Sequence, residues 1–148
     1  ARALEIGKGV FTLAATSNPE AKDQQSALQS GKTVSSKIVD GIEKLNRLHQ
    51  IPGDKVGSIG VVIGATVDFS SVGLVEHRDR PDNLTPILAP GFGAQGSSLS
   101  DIHEIFNASA SRVIASVSRS ILSAGPSGIS QAIRDAKKQL DQGFDYGR

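Results

Sequence analysis

The residue types best suited to chemistry sit at the ends of apolar runs in the second half of the chain. Arg119 follows directly on Arg112-Val-Ile-Ala-Ser-Val117 and opens the short turn Ser118-Arg-Ser-Ile-Leu122. Backbone N–H groups at a helix start, together with a guanidinium fork, make a receptor for a phosphate dianion. One apolar run earlier, Gly91-Phe-Gly93-Ala-Gln-Gly96 is a formal G-x-G-x-x-G between a strand and a helix. Glycines in that setting let the backbone approach a pyrophosphate, which is the dinucleotide-binding reading. That reading asks for an acid about 20 residues further on, where this chain has Ser116-Val-Ser-Arg119. Arg119 would suit a 2′-phosphate, yet this strand comes late for a first βαβ unit. The plainer roles are a tight turn with positive φ at the glycines and an arginine that caps carbonyl groups.

Three other patterns carry less. Ser30-Gly-Lys-Thr33 copies the end of a phosphate-binding P-loop, but Ser26 stands where a glycine is needed. Gln24 to Gln29 also reads as helix rather than strand, so the expectation is a helix break with a solvated lysine. His49, His77 and His103 share neither i, i+4 spacing nor a motif, and read as surface histidines rather than metal ligands or a Ser-His-Asp triad. Acids and lysines over Asp135 to Asp141 form the solvated face of a helix.

The elements that must position these residues alternate in type. Apolar runs at Gly9–Ala15, Ser58–Gly64, Thr85–Ala89 and Arg112–Val117 read as strands. Between them, Asn18-Pro19 opens a polar helix to about Ser30, and Val34, Ile38, Ile42, Leu45 and Leu48 form one stripe of a second helix. A short helix over about 70–78, a helix from Leu99 to Asn107 and a last one lined by Ile129, Ala132, Ile133 and Leu140 complete the order. The pattern βαβαβαβα with short connections predicts parallel strands joined by helical crossovers. That is half of an eight-stranded (β/α) TIM barrel or a small open sheet. Each polar or glycine-rich cluster follows a strand's C-terminal end, where active sites lie in both architectures.

A length of 148 residues suits one domain. With 16 Lys+Arg against 15 Asp+Glu, net charge +1, binding of nucleic acid or a membrane surface by bulk electrostatics is not expected. The absence of cysteine excludes a disulfide scaffold, a thiolate zinc site and a cysteine nucleophile. No apolar run is long enough to span a bilayer and none reads as a signal peptide. The chain has no methionine and opens at Ala1 in what reads as the end of a helix. The expectation is a single partial domain, 1–148, of something longer.

Thr16-Ser-Asn-Pro19, Val61-Val-Ile-Gly-Ala-Thr66, Ala89-Pro-Gly-Phe-Gly-Ala-Gln-Gly96 and Val117-Ser-Arg-Ser-Ile-Leu122 occur in this order at domain-scale spacing. Together they resemble strands five to eight of orotidine 5′-phosphate decarboxylase, in the subgroup with a Pro-Gly-x-Gly-Ala-Gln-Gly loop. The resemblance implies the C-terminal half of a (β/α)8 barrel, with the N-terminal half absent from this chain. It implies conversion of orotidine monophosphate to UMP and CO₂ in pyrimidine biosynthesis, without metal or organic cofactor. By resemblance, Ser17 would hydrogen-bond the pyrimidine edge, and Gln95 would bridge base and phosphate. Arg119, with the N–H groups of Ser118 and Arg119, would hold the phosphate, and Pro90 to Gly96 would be the mobile loop that buries it. The family's carbanion-stabilising lysine sits in an Asp-x-Lys-x-x-Asp motif on strand three. Nothing here matches that spacing, so no catalytic residue is assigned and the chain alone is expected to be inactive. Ser97-Ser98 and Ser118 also depart from the residues usual at those positions. The implied partners are the nucleotide and either the N-terminal half barrel or a second copy, with a homodimer expected. A small dinucleotide-binding domain using Gly91 to Gly96, or a non-catalytic barrel-completing subunit, are the alternatives.

Overall fold

The structure, a computed structural model, describes residues 2–145. Four strands form one parallel sheet: β1 (Val10–Ala15), β2 (Ile59–Ile63), β3 (Ile87–Pro90) and β4 (Val113–Ser116). Their spatial order is their chain order, β1-β2-β3-β4. A doubly wound nucleotide-binding sheet reverses its order partway, and the crevice at that reversal receives the ligand. This sheet has no reversal. Sequential parallel strands with helical crossovers are instead the arc of a (β/α)8 barrel, here four of its eight units.

The helices are α1 (Arg2–Glu5), α2 (Lys22–Ser26), α3 (Val34–Leu48), α4 (Val75–Arg78), α5 (Ile102–Phe106), α6 (Arg119–Leu122) and α7 (Gly125–Asp145). They cover one sheet face, where Val39, Ile42, Val61, Ile63, Phe69, Ile87, Ala89, Ile102 and Phe106 make the core. Side chains alternate along a strand, so the in-register row Leu13–Val62–Leu88–Ile114 points to the other face. That face is open: Leu13 is 64% exposed and Ile114 50%.

Two expectations are corrected. The helix read as running to Ser30 ends at Ser26, and residues 28–33 form a two-residue antiparallel hairpin, Leu28–Gln29 with Lys32–Thr33. Its turn residues Ser30 and Gly31 both have positive φ (55° and 80°), as a tight hairpin turn requires. The P-loop look-alike is therefore a hairpin tip, with Lys32 Nζ 2.6 Å from Asp40 Oδ2. Thr33 then caps α3, its hydroxyl accepting the Ser36 N–H at 3.0 Å.

The second correction concerns the face of α3. Its buried residues are Ser35, Ser36, Val39, Ile42, Glu43 and Asn46, whereas Leu45 and Leu48 of the apolar stripe are 43% and 70% exposed. The polar side chains go inward because they satisfy backbone and side-chain groups there. Asn46 Nδ2 donates to Ile59 O at 2.7 Å, and Asn46 Oδ1 accepts the Ile59 N–H at 3.0 Å. In α7, Ala136, Leu140 and Phe144 pack against the core, but Ile133 is 53% exposed. No helix among the described residues is long and apolar enough to cross a membrane.

Candidate functional site

The C-terminal ends of the strands bring most of the chemistry-bearing residues to one rim. β1 leaves its ladder through an irregularity between Leu13 and Ala15 and runs into Thr16-Ser17. Next to it Gly64 donates its N–H to Ala15 O at 3.0 Å. A methyl group on Gly64 would lie 3.7 Å from the Ser17 amide nitrogen and 3.8 Å from Pro90 O. Ser17, Gly64 and Pro90 thus meet across three strand ends. Ala65 continues the rim by donating to Pro90 O at 2.7 Å.

The glycine loop rises from this rim with its base buried and its tip exposed. Phe92 is 3% exposed and packs against Phe106 with ring centroids 6.4 Å apart. Ser97 Oγ donates to Ala65 O at 3.1 Å, tying the loop's far end to the strand end after β2. Gly91 (φ 114°), Gly93 (φ 72°) and Gly96 (φ 113°) all hold conformations that favour glycine, so the turn reading of these residues holds. The Gln95 side chain folds back over Gly91, where a methyl group would lie 3.4 Å from its Oε1. Gln95 is otherwise exposed.

Contact with the last turn is made at Gly93, where a methyl group would come within 2.6 Å of Ser120 Oγ. The glycine loop and the Ser118–Leu122 turn therefore touch, as adjacent strand ends of a barrel should. Ser118 O accepts the N–H groups of Ile121 (3.1 Å) and Leu122 (2.9 Å), closing the single turn of α6. The first N–H groups of that turn have no acceptor within it. Ser118 and Arg119 are exposed, and Arg119 forms no salt bridge among the described residues. A cleft of about 470 Å³ lies behind the loop, lined by Gly93, Ser97, Ser120, Asp135 and Gln139 among others. Ala132, Asp135, Ala136 and Gln139 of α7 form one wall of it, and neither Gln95 nor Arg119 lines it.

A second polar cluster escaped the sequence reading. His77 is buried, not on the surface. Its Nδ1 lies 2.8 Å from Glu43 Oε1 and its Nε2 3.2 Å from Ser36 Oγ. Arg80 and Asn83 also donate to the Glu43 carboxylate. Burial raises the Glu43 pKa, but the hydrogen bond and charge of His77, with Arg80 and Arg47, outweigh it and hold the carboxyl below its usual range. The order Ser36–His77–Glu43 copies a hydrolytic triad, yet Ser36 is only 7% exposed and so is poorly placed to meet a substrate. Asp40, Glu43 and His77 offer three ligand-type atoms within 4.8 Å of one another. Both Glu43 oxygens are already engaged by cationic or amide donors, so the donor set suits an ion-pair clamp rather than a metal. The clamp joins α3 to α4 and the approach to β3. Partners 34 to 40 residues apart in sequence gave no local signal.

No protein-family model matches the chain. Orotidine 5′-phosphate decarboxylase of Corynebacterium glutamicum (strain R) is 46% identical over 131 residues, covering 84% of this chain and 42% of that protein. The enzyme of the same name from Salinispora tropica is 41% identical over 121 residues, 81% of this chain and 40% of its own length. A crystal structure from Streptomyces avermitilis, assigned as an orotidine 5′-phosphate decarboxylase, superposes with a TM-score of 0.76 at 33% identity. It is matched over 91% of this chain and 45% of that one. Over that stretch the chain is a homologue of the orotidine 5′-phosphate decarboxylases. It spans about two fifths of the length of the curated decarboxylases it matches. The four-unit arc agrees with that share of a decarboxylase.

Proposed function

We propose that this chain is the nucleotide-recognising part of an orotidine 5′-phosphate decarboxylase, corresponding to strands five to eight of its barrel. The ligand is orotidine monophosphate or its product UMP. Arg119 and the N–H groups of Ser118 and Arg119 take the phosphate, and Ser17 takes the pyrimidine edge. Gln95 bridges the two, and the loop from Pro90 to Gly96 closes over them. Phe92, Gly93 and Ser97 anchor this loop, and its exposed tip at Ala94–Gly96 lies farthest from those anchors. One observation supports this reading most: Ser17, Gly64, Pro90, Gln95 and the Ser120 turn form one continuous rim, although they come from four separate strand ends.

The chemistry divides accordingly. Loss of CO₂ leaves a carbanion, which needs an ammonium held close to the reacting carbon. No residue of this chain is proposed for that role. Its part is remote binding energy: contacts to phosphate and base hold the reacting carbon in place and favour the transition state rather than ground-state affinity. The rest of the site comes from a further polypeptide layer closing the barrel, either an N-terminal half barrel or a second copy, with a homodimer as the assembled form. A cytoplasmic location goes with this reading.

Calorimetric titration tests it. UMP should bind the chain, and Arg119→Ala should weaken it by about 10- to 100-fold, the equivalent of one charged hydrogen bond of roughly 1.5–3 kcal/mol. Uridine, which has no phosphate, should bind equally weakly to both forms. UMP binding that ignores Arg119→Ala would remove the phosphate assignment. Enhanced NADH fluorescence on binding would favour a dinucleotide site, against the unreversed strand order. Decarboxylation by the chain alone would contradict the division of labour.

A further inference from the structure

We infer that Gln25 is a positioning residue for Ser17, a step that rests on reading the rim as a pyrimidine-nucleotide site. Past the irregularity in β1, the Thr16 N–H is accepted by a side chain: Gln25 Oε1, at 3.2 Å. The same amide's Nε2 donates to Thr16 Oγ1 at 2.8 Å. One half-buried side chain thus gives Thr16 both an acceptor and a donor, as a neighbouring strand would. The Thr16 hydroxyl in turn donates a hydrogen bond to Asn18 Oδ1, and Asn18 Nδ2 donates to Glu20 Oε2 at 3.2 Å. Asn18 is thereby drawn away from capping the following turn, where it makes no side-chain cap bond.

The residues on both sides of Ser17 are held by this chain of bonds, while Ser17 itself is exposed and makes no side-chain hydrogen bond among the described residues. Fixed neighbours around a free hydroxyl are what a recognition group needs, because preorganisation lowers the entropy lost on binding. Gln25 never touches the ligand. It acts through Thr16, from the one-turn helix α2, and its effect belongs to the base rather than the phosphate.

The test titrates UMP and ribose 5-phosphate, which lacks the base, against the chain and two variants. Gln25→Leu should weaken UMP about tenfold, on the scale of one lost hydrogen bond, with ribose 5-phosphate unchanged and serving as the control for folding. Gln25→Glu should keep most of the UMP affinity, since a carboxylate still accepts the Thr16 N–H, and the Thr16 hydroxyl can turn its single proton from Asn18 Oδ1 to the second carboxylate oxygen. Amide exchange at Thr16 and Ser17 should quicken in Gln25→Leu alone. Equal weakening of both ligands, or unaltered UMP affinity in Gln25→Leu, overturns the role of Gln25 and leaves the site standing. If the unaltered chain binds neither ligand, or both equally, the reading of the site fails and takes this inference with it.

Discussion

Asn46 shows how single side chains stand in for missing backbone partners. Its amide serves both the N–H and the C=O of Ile59 and also reaches Thr85 Oγ1 at 3.1 Å, all while 2% exposed. Asn46→Ala leaves those groups buried without partners, at about 1–3 kcal/mol for each unsatisfied group. Urea unfolding should show this as a lower midpoint with an unchanged slope. Glu43 gives a pH-dependent counterpart. Its folded-state pKa lies below the ordinary 4.5, so its stabilisation is complete above that value and is lost as pH falls through the depressed one. Stability measured in urea should therefore drop below about pH 4.5, and Glu43→Gln should flatten that drop at the cost of lower stability at pH 7. That Arg119 and the glycine loop follow strand ends was legible in the sequence, because apolar runs end just before them. Gln25, Glu43 and His77 were not, because their meaning lies in partners brought near only by the fold.

At the scale of elements, strands were read more truly than helix faces. Each apolar run became a strand of the expected sheet, since a strand buried on one or both faces needs little beyond apolar residues and short connections. The face of α3 was misread because periodicity finds apolar residues, whereas the buried side of this helix is chosen by hydrogen bonds to β2 and α4. Leu48→Gln, on the exposed stripe, should accordingly change the thermal midpoint little. The docking of α7 depends on one small residue. A side chain at Gly143 would meet Ser100 O at 2.7 Å and Leu99 O at 2.9 Å, both of them backbone atoms. Gly143→Val should push α7 off the Leu99–Asp101 turn and cost about 1–3 kcal/mol. Calorimetry would read this as a lower melting temperature. Loss of protection at the α7 amides ahead of the rest would place the fault in that contact.

The molecule as a whole has one dressed face and one bare face. Phe11, Leu13 and Ile114 lie open on the face without helices, and both β1 and β4 have an outer edge with no strand on it among the described residues. Such edges pair with whatever strand is offered, and an apolar sheet face of this kind draws other apolar surface. Sedimentation should show concentration-dependent self-association of the chain. Leu13→Lys with Ile114→Lys should reduce it without lowering the unfolding midpoint, because neither side chain belongs to the core. An unassociated chain at high concentration would count against the bare face as an interface.

The direction of those two outer edges has a practical consequence. All four strands point the same way, so a second segment completes the ring only if its own strands enter with that polarity at both seams. Under the proposed function, co-expression in a pyrimidine-requiring host offers a growth selection: βα segments that carry the missing lysine motif, supplied as a separate gene, would restore prototrophy only when both seams close.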